Sequence, residues 1–230
     1  MERKNTWKHS RKCAKRFLGN ALIKAIIFDF DGTLVDSEKA IYESFQTVTK
    51  VLAPEREKFA KNILIGPPLR HTASEILGLN HQDQIEEFVN LFIKMHDEKV
   101  IKNTQPYPNV NNVLNNFHRK KTFMAIATNK RQIPTKKLIH HYGWGDYFKF
   151  IECSDSKTNV RNKDQMIKDI FNKDNSFCGE FFVGDTVNDG VNANKNQLKF
   201  IKACYGYGKE QDWSNVIINK SIYNFKGLFF

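Results

Sequence analysis

The chain has 230 residues, of which 40% are hydrophobic, 27% charged and 13% aromatic, with 12 Gly and 6 Pro. That composition excludes collagen-like, Pro/Gly-rich and wholly disordered classes, and the length can bury a core without disulfides. The net charge of +11 sits mostly at one end, because residues 1–24 carry eight Lys/Arg against one acid, Glu2. A basic tail of this kind can touch nucleic acid or an anionic membrane. The plainer reading of residues 1–22 is a solvated extension, so neither partner is expected. No apolar run approaches the roughly 18 residues of a membrane span, and no cleavage pattern follows an apolar segment. The four cysteines (Cys13, Cys153, Cys178 and Cys204) have no paired spacing. They read as free thiols of a reducing, cytoplasmic compartment.

In chain order, Ala25-Ile26-Ile27-Phe28 is a continuous apolar run that stops at Asp29. That is the pattern of a strand buried on both faces in a parallel sheet. Residues 37–104 then offer no strand pattern. They predict helices near Glu38–Val51 and Arg70–Leu77, and they space Ile85, Phe88, Phe92 and Met95 along one helical face. This stretch reads as an all-helical cap inserted after the first strand, with linkers at Leu34–Ser37 and Asn103–Pro108. Beyond it, strands are predicted at Phe123–Ala127, Phe148–Ile151, Phe181–Val183 and Phe200–Ala203. Helices are predicted at Val110–Arg119, Pro134–His141, Lys163–Phe171 and Asp189–Gln197. The alternation predicts a doubly wound α/β core with a parallel sheet, built from 23–36 and 105–230. Ligands of such sheets bind at the carboxyl ends of the strands, where Asp29, Thr128 and Asp185 stand.

The sharpest local signal is Asp29-Phe30-Asp31-Gly32-Thr33-Leu34-Val35-Asp36-Ser37. Asp-Gly alone is ordinary turn chemistry. Asp29 is not explained by a turn, because a carboxylate ending a buried strand is costly unless it is paired or bound to a metal. A second pair, Asp185 and Asp189, follows another apolar run. If the two strands are neighbours, three or four carboxylates converge and require a cation. An all-oxygen cluster with an open side suits Mg²⁺ together with a substrate phosphate.

These residues resemble the haloacid dehalogenase-like superfamily, and within it the phosphoglycolate phosphatase-like branch with a helical cap. The first motif of the family, DxDGT(L/V)xDS, is matched by Asp29–Ser37 throughout. The second, an apolar strand ending in Thr or Ser, is matched by Ala125-Ile126-Ala127-Thr128-Asn129-Lys130, and the fourth by Gly184-Asp185-Thr186-Val187-Asn188-Asp189. Ile65-Gly66-Pro67-Pro68-Leu69 and Tyr107-Pro108-Asn109-Val110 also look like this branch, where Gly often stands in place of Asn109. The third motif, a Lys often followed by Pro, is the loosest match. Lys163 lies 35 residues past Thr128 without a proline, and Arg161 is its rival.

The resemblance implies a fold, roles and a reaction. Asp29 would be the nucleophile that becomes an aspartyl-phosphate, and Asp31 the acid and then the base. Mg²⁺ would be held by Asp29, the backbone carbonyl of Asp31 and Asp185, with Asp189 beside it. Thr128, Asn129 and Gly32 would meet the phosphate, and Lys163 would neutralise phosphate and nucleophile. Asp31 favours phosphate chemistry over carbon–halogen chemistry, since the dehalogenase branch lacks an acid there. Arg70 and His71, after Pro67-Pro68, would face an anionic substrate or lie on a helix surface. The expected reaction is hydrolysis of a small phosphate monoester: phosphoglycolate, a sugar phosphate or a nucleoside monophosphate. A phosphomutase, or a basic nucleic-acid-binding protein using the fold as a scaffold, are the alternatives. The His140-His141 pair, Cys153, Cys178 and the Phe stripes of the cap take ordinary surface and packing readings.

Overall fold

The computed structural model describes residues 23–228 apart from 62, 79–81 and 158. The basic segment 1–22 and Cys13 therefore lie outside the described residues. β1 (Ala25–Phe28) leads through the turn after Asp29 to a two-residue strand, β2 (Val35–Asp36). The chain then enters helices α1 (Glu38–Leu52), α2 (Glu57–Ala60), α3 (Leu69–Leu77) and α4 (Gln82–Lys99). It returns through β3 (Gln105–Pro106), which pairs antiparallel with β2. The two predicted linkers thus meet as one short ribbon. Neither strand was legible, because two residues show no period.

The rest alternates: α5 (Val110–Arg119), β4 (Phe123–Thr128), α6 (Gln132–His141), β5 (Phe148–Cys153), α7 (Lys163–Lys173), β6 (Phe181–Gly184), α8 (Val187–Lys195) and β7 (Lys199–Ala203). Helix α8 starts two residues before the expected Asp189, because Thr186 caps it. A further strand, β8 (Lys220–Ile222), extends the sheet at its edge, where one apolar residue in three suffices. The sheet order is β5-β4-β1-β6-β7-β8, with every pairing parallel. β1 is central, so all four of its residues are fully buried, as its unbroken apolar run requires. One face of the sheet packs Phe28, Ile126 and Trp144, and the other packs Ile27, Ile167 and Phe182.

The helices after β2 carry their own apolar cluster, in which Phe45, Ile76, Phe88 and Phe92 are buried. Phe45 and Phe92 have ring centroids 4.4 Å apart. Removing Phe88, which has no exposed surface, would cost about 3–5 kcal/mol, since the cavity would not collapse fully. The cap is tied to the core through the loops after β4. Asn129 Nδ2 donates to the Gly66 carbonyl (3.1 Å), and Arg131 pairs with Asp97. Among the described residues no helix is long and apolar enough to cross a membrane.

Candidate active site

The ends of β1 and β6 bring four charged side chains to one spot. The Asp29 amide donates to the Val183 carbonyl (2.9 Å), so the strand pairing itself places Asp29 beside the loop that carries Asp185. Gly32 then turns the chain with φ of 77°, and a Cβ there would stand 2.2 Å from Asp185 Oδ2. Only glycine permits both the angle and the approach. Thr33 Oγ1 donates to Asp185 Oδ1 (3.1 Å), and the Tyr207 amide donates to Oδ2 (2.8 Å). Asp189 comes from the first turn of α8, where its Oδ2 accepts from Thr186 in a capping box. Its Oδ1 pairs with Lys163. Lys163 opens α7, a position where the helix dipole disfavours a cation. The acids hold it there, with Nζ 2.9 Å from Asp29 Oδ1.

Asp29, Asp185 and Asp189 each offer an oxygen within 4.8 Å of the others, and all three are buried. One lysine does not balance three carboxylates. Burial, then Asp189, pushes Asp29 up to about 7 against the pull of Lys163. Burial, then Asp189 and Asp29, raises Asp185 well above the usual carboxylate range. Burial works against the charge on Lys163, yet Asp189 and Asp29 outweigh it and hold Lys163 above its ordinary value. An oxygen-only ring of three buried carboxylates with surplus negative charge fits a hard divalent cation. Thr128 ends β4, and its Oγ1 accepts from the Lys130 amide (3.1 Å). Thr128, Asn129, Lys163, Asp29 and Asp31 line one cavity of about 110 Å³.

The profile of the haloacid dehalogenase-like hydrolases matches residues 26–203. The chain belongs to this family. It is 23% identical over 189 residues to a 5'-nucleotidase of Pseudomonas aeruginosa, covering 81% of this chain and 85% of the relative. It is 30% identical over 136 residues to a phosphoglycolate phosphatase of Aquifex aeolicus, covering 58% and 62%. A solved haloacid dehalogenase-like family hydrolase from Streptococcus pneumoniae superposes with a TM-score of 0.74 at 24% identity, covering 88% of this chain and 94% of that one.

Within this haloacid dehalogenase-like hydrolase, other expected residues fall in different places. Arg161 pairs with other acids. It is buried against Glu152 (2.7 Å), Asp169 (2.6 Å) and the Cys153 carbonyl (2.7 Å). Gly32 abuts Asp185 and does not line the cavity. Arg70 shares a cavity with Asn129 and Lys163 but does not line the smaller one that holds Asp29 and Asp31. It makes a bidentate ion pair with Glu86 (2.7 and 2.9 Å) and lines a second cavity of about 760 Å³. His71 pairs with Glu75 at 3.5 Å, and His140 and His141 are exposed. Cys153 is buried in β5, and burial pushes its thiol up to about 11.

Three residues of the site have no role in the sequence reading, although Ser37 and Lys130 lie inside the first and second motifs. Lys130 Nζ contacts both oxygens of Asp31 (3.0 and 3.1 Å) and lies 3.4 Å from His96 Nε2 of α4. Ser37 Oγ donates to Asp31 Oδ1 (2.7 Å). Gly206 lies so close that a Cβ would be 2.3 Å from the Asp185 Cβ and from the Gly32 carbonyl. The Tyr205-Gly206-Tyr207-Gly208 run after β7 could have flagged this loop, since paired glycines mark close backbone approach.

Proposed function

We propose that the protein is a Mg²⁺-dependent phosphatase that hydrolyses a small phosphate monoester through an aspartyl-phosphate on Asp29. The observation that carries this reading is the buried Asp29–Asp185–Asp189 ring with its single lysine, Lys163. Bound there, Mg²⁺ would neutralise charge on the phosphoryl group and orient it. Asp29 and Asp185 would be its side-chain ligands, with the Asp31 carbonyl and Asp189 beside them.

The chain's own groups then divide the work. Asp29 attacks phosphorus in line, and the bond to the leaving oxygen breaks. Asp31 gives that oxygen its proton, and later takes a proton from the water that cleaves the aspartyl-phosphate. Thr128 and the Asn129 backbone bind phosphate oxygens, and Lys163 offsets charge on nucleophile and phosphate. Lys130 and Ser37 hold the Asp31 carboxylate on the cavity wall. Residues 37–104 act as a cap that closes the site to water and to polymers, which supports a small-molecule substrate over a nucleic acid, and the free cysteines Cys153, Cys178 and Cys204 suit a reducing, cytoplasmic compartment. The relatives' names cover a 5'-nucleotidase and a phosphoglycolate phosphatase, so they do not select one ester.

Phosphate release from a panel of monoesters tests the reading. Turnover should require Mg²⁺, and Asp185→Asn should remove most of it. Full turnover after thorough chelation, or phosphate handed back to a second alcohol group in preference to water, would defeat it.

A further inference from the structure

The loop after β4 grips the cap with three consecutive residues. Asn129 Nδ2 donates to the Gly66 carbonyl, Lys130 Nζ lies 3.4 Å from His96 Nε2, and Arg131 pairs with Asp97. His96 and Asp97 are neighbours on α4, so two residues of the core loop meet two residues of one cap helix. The middle contact continues to the acid, because Lys130 Nζ also touches both Asp31 oxygens at 3.0 and 3.1 Å. A cap helix is thus joined to Asp31 through a single ammonium group.

His96 is built into the cap. It is 3% exposed, and its ring lies 5.3 Å from that of Phe92 at an interplanar angle of 12°. Phe92 packs in turn on Phe45, and both line the smaller cavity together with His96. The packing of the cap therefore sets the direction of the imidazole. Burial, then Lys130, pushes His96 down to about 2, so the ring is neutral. Lys130 can only donate, so Nε2 accepts and Nδ1 carries the proton.

Asp31 serves Lys130 unevenly. In the proposed reaction Asp31 starts as the protonated acid, gives that proton to the leaving oxygen and becomes a carboxylate. It is a full counter-charge to Lys130 only after the transfer. His96 accepts from Lys130 before and after it. The imidazole therefore keeps a buried ammonium satisfied beside Asp31 in the state that performs the first step.

Resting on the phosphatase reading above, we infer that His96 is a positioning residue: carried by α4, it holds Lys130 and through it Asp31, so that the acid is in place when the cap is seated on the core.

The test measures the first step under single turnover, with enzyme in excess and Mg²⁺ present, for an alkyl phosphate from the panel and for p-nitrophenyl phosphate. His96→Phe keeps the stack on Phe92 and removes the acceptor. It should slow the alkyl ester about tenfold, a part of the roughly 10²–10⁴-fold that a general acid supplies. Cleavage of p-nitrophenyl phosphate should fall by less than about twofold, because that leaving group needs no proton. His96→Gln, which restores an acceptor, should bring the alkyl ester back to within about threefold of the unsubstituted protein. In a Lys130→Met background, His96→Phe should change either rate by less than about twofold, since residues that act through one contact are not additive. His96→Leu takes the place of His96→Phe if thermal melting shows that the latter does not fold. Equal slowing of both esters, no slowing, no recovery with glutamine, or a full effect without Lys130 overturns the inference and leaves the phosphatase standing. An unsubstituted protein that hydrolyses no monoester in the presence of Mg²⁺ overturns both.

Discussion

Arg161 and Lys163 are two residues apart, both buried and both surrounded by acids, yet their clusters are built on opposite plans. Around Arg161, the acids Glu152 and Asp169 meet three cations, Arg161, Lys157 and Lys173. Burial alone would raise Asp169, but Lys157 and Arg161 outweigh it and hold its carboxyl low. Around Lys163, three carboxylates share one lysine, and Asp29 and Asp185 are driven up. In the first cluster every carboxylate has its cations, and the pairs tie β5 to α7. The second is complete only with an added cation and an added anion. Unresolved charge, more than burial or charge density, separates a site from a structural ion cluster.

The largest test of that contrast is at the centre. Asp29→Asn should lower kcat by about 10⁴-fold or more for every ester, as removal of a nucleophile does. Circular dichroism and thermal melting should show a folded protein. Next, Lys163→Met should lower kcat by about 10²–10³-fold, the usual loss when one charge-stabilising donor is removed. Arg161→Met should cost about 1–3 kcal/mol of stability, since Glu152 loses one buried partner and keeps Lys173, while kcat per folded molecule stays within about threefold. A comparable loss of kcat in both variants would erase the distinction.

The pH dependence of metal binding is a subtler test. Asp29 titrates near 7 when folded and near 3.8 otherwise, so the folded chain holds the proton more tightly. Without metal, the contribution of this group to stability is present in acid and lost as pH rises through about 7. A bound cation removes the penalty. A fixed Mg²⁺ concentration, about 100 times the Kd at pH 8, should therefore raise Tm little at pH 5, where protonated Asp29 weakens binding. At pH 8 it should raise Tm by several degrees, about 3 kcal/mol at 100 times Kd. Differential scanning fluorimetry would show it, and a shift that shrinks as pH rises would contradict the assignment. Gly206→Ala should disturb the same metal site by sterics: its Cβ would meet both the Asp185 Cβ and the Gly32 carbonyl at 2.3 Å, so it should lower Tm and raise the Mg²⁺ concentration for half activity.

What was legible in the sequence follows the same physics. The central strands read clearly because both their faces are buried, and Asp29 and Asp185 read clearly because a carboxylate after such a run needs a reason. The sequence favoured Lys163 over Arg161 by spacing alone, since two basic residues so close together look alike until the capping box of Asn162 and Gln165 fixes the start of α7. The Lys130–Asp31 pair spans 99 residues, and no local pattern announces it. The edge strand β8 and the β2–β3 ribbon were hidden because their stability comes from partners and not from their own sequences. The cap residues read as core, and they are core. That they also wall a cavity is a property of how the cap sits on the sheet.

The central claim is that Asp29 carries the phosphoryl group. Asp31→Asn keeps the nucleophile and loses the acid and base. Mixed with p-nitrophenyl phosphate and Mg²⁺, it should release a burst of nitrophenolate near one equivalent and then turn over slowly, because that leaving group needs no proton and hydrolysis of the intermediate still does. Intact mass should show one added phosphoryl group, mapped to the peptide containing Asp29. No burst and no covalent phosphate, or phosphate found on a peptide without Asp29, would contradict the account.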